Sequence, residues 1–156
     1  MDINYFMDLA IKQAKKGILK DEVPVGALIV DNKNMEVISL SHNEVIKRNN
    51  PLKHAELILI EDVCKKKNTK YLFDTSIFVT LEPCTMCAAA ISEAKINRIY
   101  FGAYDSKKGS LESIMNLYKL NNLFVPEVYG GIKEKECSAI ISNFFTEKRM
   151  KNYKQN

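Results

Sequence analysis

Four residues in two short segments have side chains that could bind and use a metal ion. The first segment is His54-Ala55-Glu56, and the second is Pro83-Cys84-Thr85-Met86-Cys87. Two cysteines three positions apart share one face of a helix, and a helix N-terminus favours the thiolate form that binds metals. One imidazole and two thiolates form a donor set suited to tetrahedral zinc. The sequence therefore predicts that His54, Cys84 and Cys87 bind zinc.

The fourth coordination position decides whether such a zinc is structural or catalytic. Structural sites are closed by four protein ligands, whereas catalytic sites leave a place for water. Cys64 follows His54 by ten residues on the same predicted helix, about 15 Å along its axis, so it cannot reach the same metal. The sequence does not decide about Cys137, which stands alone at the start of the last predicted helix. Without Cys137, the site has an open position for water.

Glu56 is the residue that could carry protons at this site. Zinc lowers the pKa of bound water to about 7, and a nearby carboxylate can take that proton and later deliver it to a substrate. Residues two apart on a regular helix point about 200° away from each other. His54 and Glu56 therefore converge only if the site lies beyond the N-terminal end of their helix, the direction in which helical side chains lean.

Simpler explanations of each motif remain open from the spacing alone. A Cys-x-x-Cys pair also occurs in redox proteins and in purely structural zinc sites, and His-Ala-Glu can be an ordinary helix start. The two motifs together, about 30 residues apart, are far more specific than either one. We expect His42 to be a surface or hairpin residue, and Cys64 and Cys137 to be small core side chains.

The composition of the chain indicates one globular domain spanning residues 1–156. The length suits a single domain, and 46% hydrophobic with 27% charged residues is ordinary for such a protein. Residues 1–6 lack the pattern of a signal peptide, and no stretch approaches the roughly 20 apolar residues of a membrane span. We therefore expect a cytoplasmic protein without a membrane partner. The net charge of +4 permits a polyanionic partner such as RNA but does not require one.

Helical and strand patterns alternate along the chain. Apolar spacing predicts helices over residues 3–16, 54–67, 83–93, 112–120 and 134–151. Short runs rich in β-branched residues predict strands over residues 25–30, 36–40, 76–81, 98–102 and 127–129. This alternation implies an α/β fold of three layers, an α/β/α sandwich.

The paired motifs resemble the signature H-x-E…P-C-x-x-C of the cytidine and deoxycytidylate deaminase superfamily. Within it, the chain more closely resembles the bacterial tRNA-specific adenosine deaminases, and the resemblance spans nearly the whole chain. The segments that carry it are residues 21–27, Asn43, 54–56, 79–87, 101–109, Glu136-Cys137, 143–145 and Arg149.

The resemblance implies a fold, a reaction and a set of site residues. The fold is a cytidine deaminase-like sandwich around a five-stranded mixed sheet. The reaction is zinc-dependent hydrolytic deamination of adenosine to inosine at the wobble position of a tRNA anticodon, with one zinc per subunit and Glu56 as the catalytic residue. The partners are the tRNA anticodon stem-loop and a second copy of the chain in a homodimer. The implied substrate-binding residues are Val25, Asn43, Ala55, Asp105 and Lys107, with Asn43 as a hydrogen-bonding partner of the purine.

Two features of the sequence bear on RNA binding: one departure from the family pattern and the basic end of the chain. Ser110-Leu111-Glu112 replaces small residues in a loop that lies near the RNA in the family. The stretch from Lys148 to Lys154 could contact phosphates, with Tyr153 available for stacking, or it could be a solvated helix end.

Two other functions compete with this one. A deaminase of free bases or nucleosides shares the metal site, and the Asp105–Gly109 loop and the terminal helix favour RNA over it. The second competing function is that of a zinc module that only binds RNA. Glu56 argues against it, because binding alone needs no proton carrier.

Overall fold

A five-stranded sheet runs through the centre of the computed structural model, which describes residues 1–155. Its strands are β1 (Gly26–Asp31), β2 (Val37–His42), β3 (Thr75–Leu81), β4 (Arg98–Ala103) and β5 (Glu127–Tyr129). They lie in the order β2-β1-β3-β4-β5. β1 is antiparallel to β2 and β3, whereas β3, β4 and β5 are parallel. The predicted five-stranded mixed sheet is confirmed.

Helices cover both faces of the sheet. They are α1 (Ile3–Ile18), α2 (Val45–Arg48), α3 (Ala55–Lys67), α4 (Thr85–Glu93) and α5 (Glu134–Lys154). α1 and α5 pack on one face, and α3 and α4 on the other. The predicted three-layer sandwich is therefore confirmed. None of the helices within residues 1–155 has the length and apolar character needed to cross a membrane.

Alternate residues of β1 face two different cores. Ala27 and Ile29 belong to the core beneath α3 and α4. Leu28 and Val30 belong to the core beneath α1, where Phe6 also lies. Because both faces are covered, the strand is a continuous apolar run instead of an alternation of polar and apolar residues.

Two glycines allow helices to lie close to the sheet. A Cβ on Gly26 would collide with the main chain of Ala10 and Ala14 in α1, and a Cβ on Gly102 would collide with the Cys137 side chain in α5. Gly26 begins β1 and Gly102 lies near the end of β4. Since β1 is antiparallel to β3, both close approaches lie at the edge where β3 and β4 end.

The structure differs from the predicted elements in three places. α1 continues through Gly17, which we expected to end it, and the short α2 was not predicted. The predicted helix over residues 112–120 is wrong: this stretch is mostly turns, with one 3-10 turn at Leu117–Lys119. Its first main-chain N–H groups donate to the Glu82 carboxylate instead of forming a helix.

Candidate active site

Two helix N-termini meet beyond the carboxyl end of β3. His54 is the N-cap of α3, and Cys84 is the N-cap of α4. Both residues have extended backbone conformations, and neither side chain makes a capping hydrogen bond to its own helix. Both side chains are therefore available to a ligand, although N-cap residues more often satisfy the first N–H groups of their helix.

The three predicted metal ligands converge. His54 Nδ1 lies 3.7 Å from Cys84 Sγ and 3.5 Å from Cys87 Sγ, and the three donor atoms all lie within 4.8 Å of one another. For tetrahedral zinc with ordinary bond lengths, the distance between a nitrogen and a sulfur ligand is about 3.6 Å. The donor types and their separations therefore fit zinc.

Cys64 and Cys137 lie outside this group. Within residues 1–155, the group of potential ligands contains only His54, Cys84 and Cys87. Cys64 lies near the far end of α3, with Sγ 4.0 Å from the Lys70 carbonyl. Cys137 is buried in the other core, where burial raises its pKa to about 12. The three-ligand arrangement therefore leaves the fourth position free of cysteine.

The ligands influence one another's protonation. The hydrogen bond from the Cys87 thiol, reinforced by His54, lowers the pKa of Cys84 to about 4. The same proton, held between the two sulfurs, raises the pKa of the buried Cys87, and the hydrogen bond to Cys84 raises the pKa of His54. Cys84 is therefore favoured as the thiolate, the form of cysteine that binds metals.

Glu56 lies in the first turn of α3, directly beside the ligands. It is 4% exposed, and burial raises the pKa of its carboxyl group. His54 and Glu56 line the same cavity, because His54 precedes the regular helix and its extended backbone (ψ of 152°) turns its side chain toward the helix end. The geometry that the sequence required of these two residues is therefore present.

A cavity of about 540 Å³ opens above the ligand group. The predicted substrate-binding residues Val25, Asn43, Asp105 and Lys107 line it. Ala55 does not line it: its side chain is fully buried in the core. Four of the five predicted substrate-binding residues therefore line the cavity, whereas Ala55 packs in the core behind it.

Asn43 is held in one orientation by Ala55. Its Oδ1 accepts a hydrogen bond of 2.9 Å from the main-chain N–H of Ala55, and only an oxygen can face that donor. The amide NH₂ of Asn43 is therefore the group left for a ligand in the cavity. The Ala55 carbonyl is held in turn by the Ser41 hydroxyl at 2.6 Å.

Asp105 organises the loop that follows β4. Its Oδ1 accepts hydrogen bonds from the main-chain N–H groups of Lys107, at 3.0 Å, and Lys108, at 3.1 Å. Both lysine side chains are exposed at the cavity rim. The turn therefore presents two cations beside one carboxylate.

Glu82 is a feature of the site that sequence reasoning missed. It is 2% exposed, and it accepts hydrogen bonds from the main-chain N–H groups of Asp105, Leu111, Glu112 and Ser113. Burial alone would raise the pKa of Glu82, but these hydrogen bonds and that of the Ser113 hydroxyl hold it below its usual value. The sequence signal that could have identified Glu82 was a charged residue directly after a predicted buried strand.

The far wall of the cavity comes from α5, which was not predicted to contribute beyond its basic end. Ile141, Phe145 and Lys148 lie on one helix face and line the cavity. Lys148 Nζ is 3.6 Å from the carboxylate of Asp21, so the helix and the loop before β1 meet at the rim. Tyr153, near the end of α5, is 83% exposed.

Several known proteins are similar to this chain. The family pattern described as the cytidine and deoxycytidylate deaminase zinc-binding region matches residues 1–103. A tRNA-specific adenosine deaminase of Rickettsia bellii (strain RML369-C) is 44% identical over 141 residues, which cover 90% of this chain and 97% of that protein.

Solved structures show the same similarity. A chain from structural studies of A-to-I editing by tRNA:A34 deaminases at the wobble position of transfer RNA is 40% identical. Its TM-score is 0.84, with 87% of this chain and 98% of that chain covered. A guanine deaminase from Nitrosomonas europaea has a TM-score of 0.77 over 91% of this chain and 84% of its own. At 17% identity, this second likeness concerns the fold alone.

Proposed function

This chain belongs to the cytidine and deoxycytidylate deaminase family, and we propose that it converts adenosine to inosine at the wobble position of a tRNA anticodon. The observation that carries the proposal is the group of His54, Cys84 and Cys87 beside a buried Glu56 at the base of a cavity. A metal site with three protein ligands and an adjacent carboxylate is suited to hydrolysis. The 40% identity to a tRNA:A34 deaminase over most of the chain supports the substrate.

The reaction needs a nucleophile and a group that moves protons. Zinc held by these three residues would lower the pKa of a water ligand to about 7 and so would supply the nucleophile. Glu56 accepts one proton from the attacking water and delivers it to the ring nitrogen. It then accepts the second proton of that water from the hydroxyl on the attacked carbon and delivers it to the departing amine. Burial raises the pKa of Glu56, so its carboxyl group holds a proton more readily than an exposed glutamate does. One water is consumed, ammonia leaves and inosine remains.

Asn43 and Val25 hold the base in this proposal. The NH₂ group of Asn43, left free by the bond between its Oδ1 and Ala55, donates to a purine nitrogen. Val25 contributes an apolar surface to the same cavity. Ala55 acts through its main chain by orienting Asn43.

RNA binding in this proposal uses the exposed residues around the cavity. Chemistry on a base requires that the base leaves its stack, and an anticodon loop offers such bases. Asp105 and Lys107 contact the flanking nucleotides, and the basic end of α5 contacts phosphates. An enzyme acting on tRNA is expected in the cytoplasm.

A homodimer is part of the same proposal. Four large aliphatic side chains, counting methionine, are exposed in the segment between β4 and β5, and exposed apolar surface is a common feature of protein interfaces. They are Ile114, Met115, Leu120 and Val125. Light scattering during size-exclusion chromatography tests the assembly, and a monomer at micromolar concentration would contradict it.

The function is tested by comparing tRNA with free bases. We expect inosine and ammonia from a transcribed arginine tRNA with adenosine at the wobble position. The same transcript with guanosine there serves as the matched control and yields neither product. Free adenosine, cytosine and guanine are assayed in parallel. Turnover of a free base without turnover of the tRNA would replace this function with that of a free-base deaminase.

A further inference from the structure

The Glu82 carboxylate joins the metal ligands to the loop at the cavity rim. Glu82 directly precedes the Pro83-Cys84 pair, so its main chain leads into a metal ligand. Its side chain receives all of its hydrogen bonds from the segment that follows β4, residues 105–113. Within residues 1–155, no lysine or arginine forms an ion pair with it.

The two oxygens of Glu82 have different partners. Oε1 accepts from the main-chain N–H groups of Leu111 at 3.1 Å, Glu112 at 2.8 Å and Ser113 at 3.0 Å. Oε2 accepts from the main-chain N–H of Asp105 at 3.0 Å and from the Ser113 hydroxyl. Oε1 therefore holds the far end of the loop, and Oε2 links Asp105 to the Ser113 hydroxyl at that same end.

Further contacts bind this loop to the ligand-bearing segment. Cys84 and Gly109 form an antiparallel bridge, and the Ser110 N–H donates to the Pro83 carbonyl at 3.0 Å. A Cβ on Gly109 would collide with the Glu82 carboxylate. The loop therefore packs directly against the segment that carries Cys84, and no residue larger than glycine fits at position 109.

Asp105 transmits this attachment to the rim. Glu82 fixes the main chain of Asp105, and the Asp105 side chain fixes the turn that presents Lys107 and Lys108. The Glu82 carboxylate thus connects the segment that carries Cys84 with the turn that carries Lys107 and Lys108, although it forms no hydrogen bond with either lysine side chain. A hydrophobic side chain could fill the same space, but it could not accept these hydrogen bonds.

We propose that Glu82 is a positioning residue that fixes Asp105 and Lys107 relative to the metal ligand Cys84 and thereby sets the affinity for RNA. This inference rests on the proposed function, because it assigns the loop a role in binding the anticodon. It gives Glu82 no part in the proton transfers, which belong to Glu56.

The substitution Glu82→Gln tests this assignment with almost no change in shape. The Gln oxygen can still accept from the three N–H groups at residues 111–113, so its NH₂ group must face the Asp105 N–H, where two donors repel. We expect KM for the wobble-adenosine tRNA to rise by about 10- to 100-fold, as for a displaced binding group. We expect kcat within about threefold of the wild type and unchanged zinc content.

Amide hydrogen exchange gives a readout that does not depend on activity. We expect the Asp105 amide to exchange faster in Glu82→Gln, while the amides at residues 111–113 keep most of their protection. Glu93→Gln removes an exposed glutamate at the far end of α4 and serves as the charge-matched control, with wild-type KM and exchange.

A double-mutant cycle separates positioning from a general loss of stability. If Glu82 acts through Asp105, the effects of Glu82→Gln and Asp105→Ala on KM are not additive. Additive effects, an unchanged KM, or a loss of zinc with a fall in kcat would each overturn the proposal. Should Glu82→Gln fail to fold, Glu82→Asp keeps the charge but shortens the side chain by one methylene, which withdraws the carboxylate from the Asp105 N–H. A wild-type KM and wild-type exchange at Asp105 in that variant would also overturn the proposal.

Different results would show that the role of Glu82 is wrong and that the proposed function is wrong. If the wild-type protein does not deaminate the tRNA, the function is wrong. The exchange of the Asp105 amide still decides whether Glu82 holds the loop. If the wild type is active and Glu82→Gln is kinetically identical to it, only the role of Glu82 is wrong.

Discussion

Replacing Asn43 with alanine should affect both stability and catalysis, because its side chain has two separate tasks. Oδ1 accepts the hydrogen bond from the Ala55 N–H at 2.9 Å, and the NH₂ group is left for the base. Asn43 is only 8% exposed, so its hydrogen bond is largely shielded from water. The substitution removes the acceptor and the donor together.

The loss of stability follows from the Ala55 N–H. An unsatisfied buried donor costs about 1–3 kcal/mol. Because Asn43 lines an open cavity, water can enter the vacated space, and we expect the lower half of that range. For a chain of this length, about 1–2 kcal/mol corresponds to a fall in Tm of about 2–8 °C.

Ser41→Ala provides a matched control, since Ser41 donates to the carbonyl of the same alanine at 2.6 Å. Ser41 does not line the cavity above the ligands, and the Ala55 carbonyl also accepts within α3. We expect a cost of about 1 kcal/mol in this variant and kcat/KM close to the wild type. For Asn43→Ala, assayed well below its Tm, we expect kcat/KM to fall by about 10- to 100-fold.

Calorimetry and single-turnover assays of inosine formation would decide the case. Equal losses of activity in Asn43→Ala and Ser41→Ala would refute the direct contact between Asn43 and the base. A wild-type Tm in Asn43→Ala would refute the stabilising role of its bond to Ala55.

Other substitutions test the metal site and the fold. Cys87→Ser should lower zinc content, measured by inductively coupled plasma mass spectrometry, and should reduce activity; a fully metallated and active variant would remove Cys87 from the ligand set. Glu56→Gln should keep its zinc and lose about 100- to 10,000-fold in kcat, and substantial turnover would exclude Glu56 as proton carrier. After chelation, iodoacetamide at pH 8 should modify Cys84, which lines the cavity. It should spare Cys137, because its raised pKa keeps the buried thiol protonated at that pH. Peptide mass spectrometry identifies the modified cysteines, and modification of Cys137 in preference to Cys84 would contradict this expectation. Gly102→Ala should lower the free energy of unfolding in urea by about 1–3 kcal/mol, because its Cβ has no room beside Cys137.

The metal site could be predicted from the sequence because its residues lie in two local motifs. Each motif sits at a helix start, and the spacing of Cys84 and Cys87 within one turn is a local property. From the sequence, His54 and Glu56 could converge only at a site beyond the N-terminal end of their helix. The extended backbone of His54 meets that condition.

The loop after β4 could not be predicted in the same way. Its apolar spacing indicated a helix over residues 112–120, but its N–H groups are bound by Glu82, about 30 positions earlier. A hydrogen bond between residues so far apart leaves no periodic trace in the sequence. The buried Leu111, which packs in the core under α3 and α4, explains how the Ser110-Leu111-Glu112 departure is accommodated.

The direction of β1 explains why these distant segments share one edge. Because β1 is antiparallel to β3, the start of β1 lies beside the end of β3, which brings Val25 next to the segment that holds Cys84. β4 is parallel to β3, so Asp105 follows at the same edge. Ligand sites in α/β sheets form beyond the carboxyl ends of the strands, and here a strand running the opposite way adds its N-terminal loop to that edge. A shift of one residue in the β1–β3 register would move Val25 to the opposite face of the sheet. The placement of Gly26 against α1 opposes such a shift, since any larger residue there would collide with the helix.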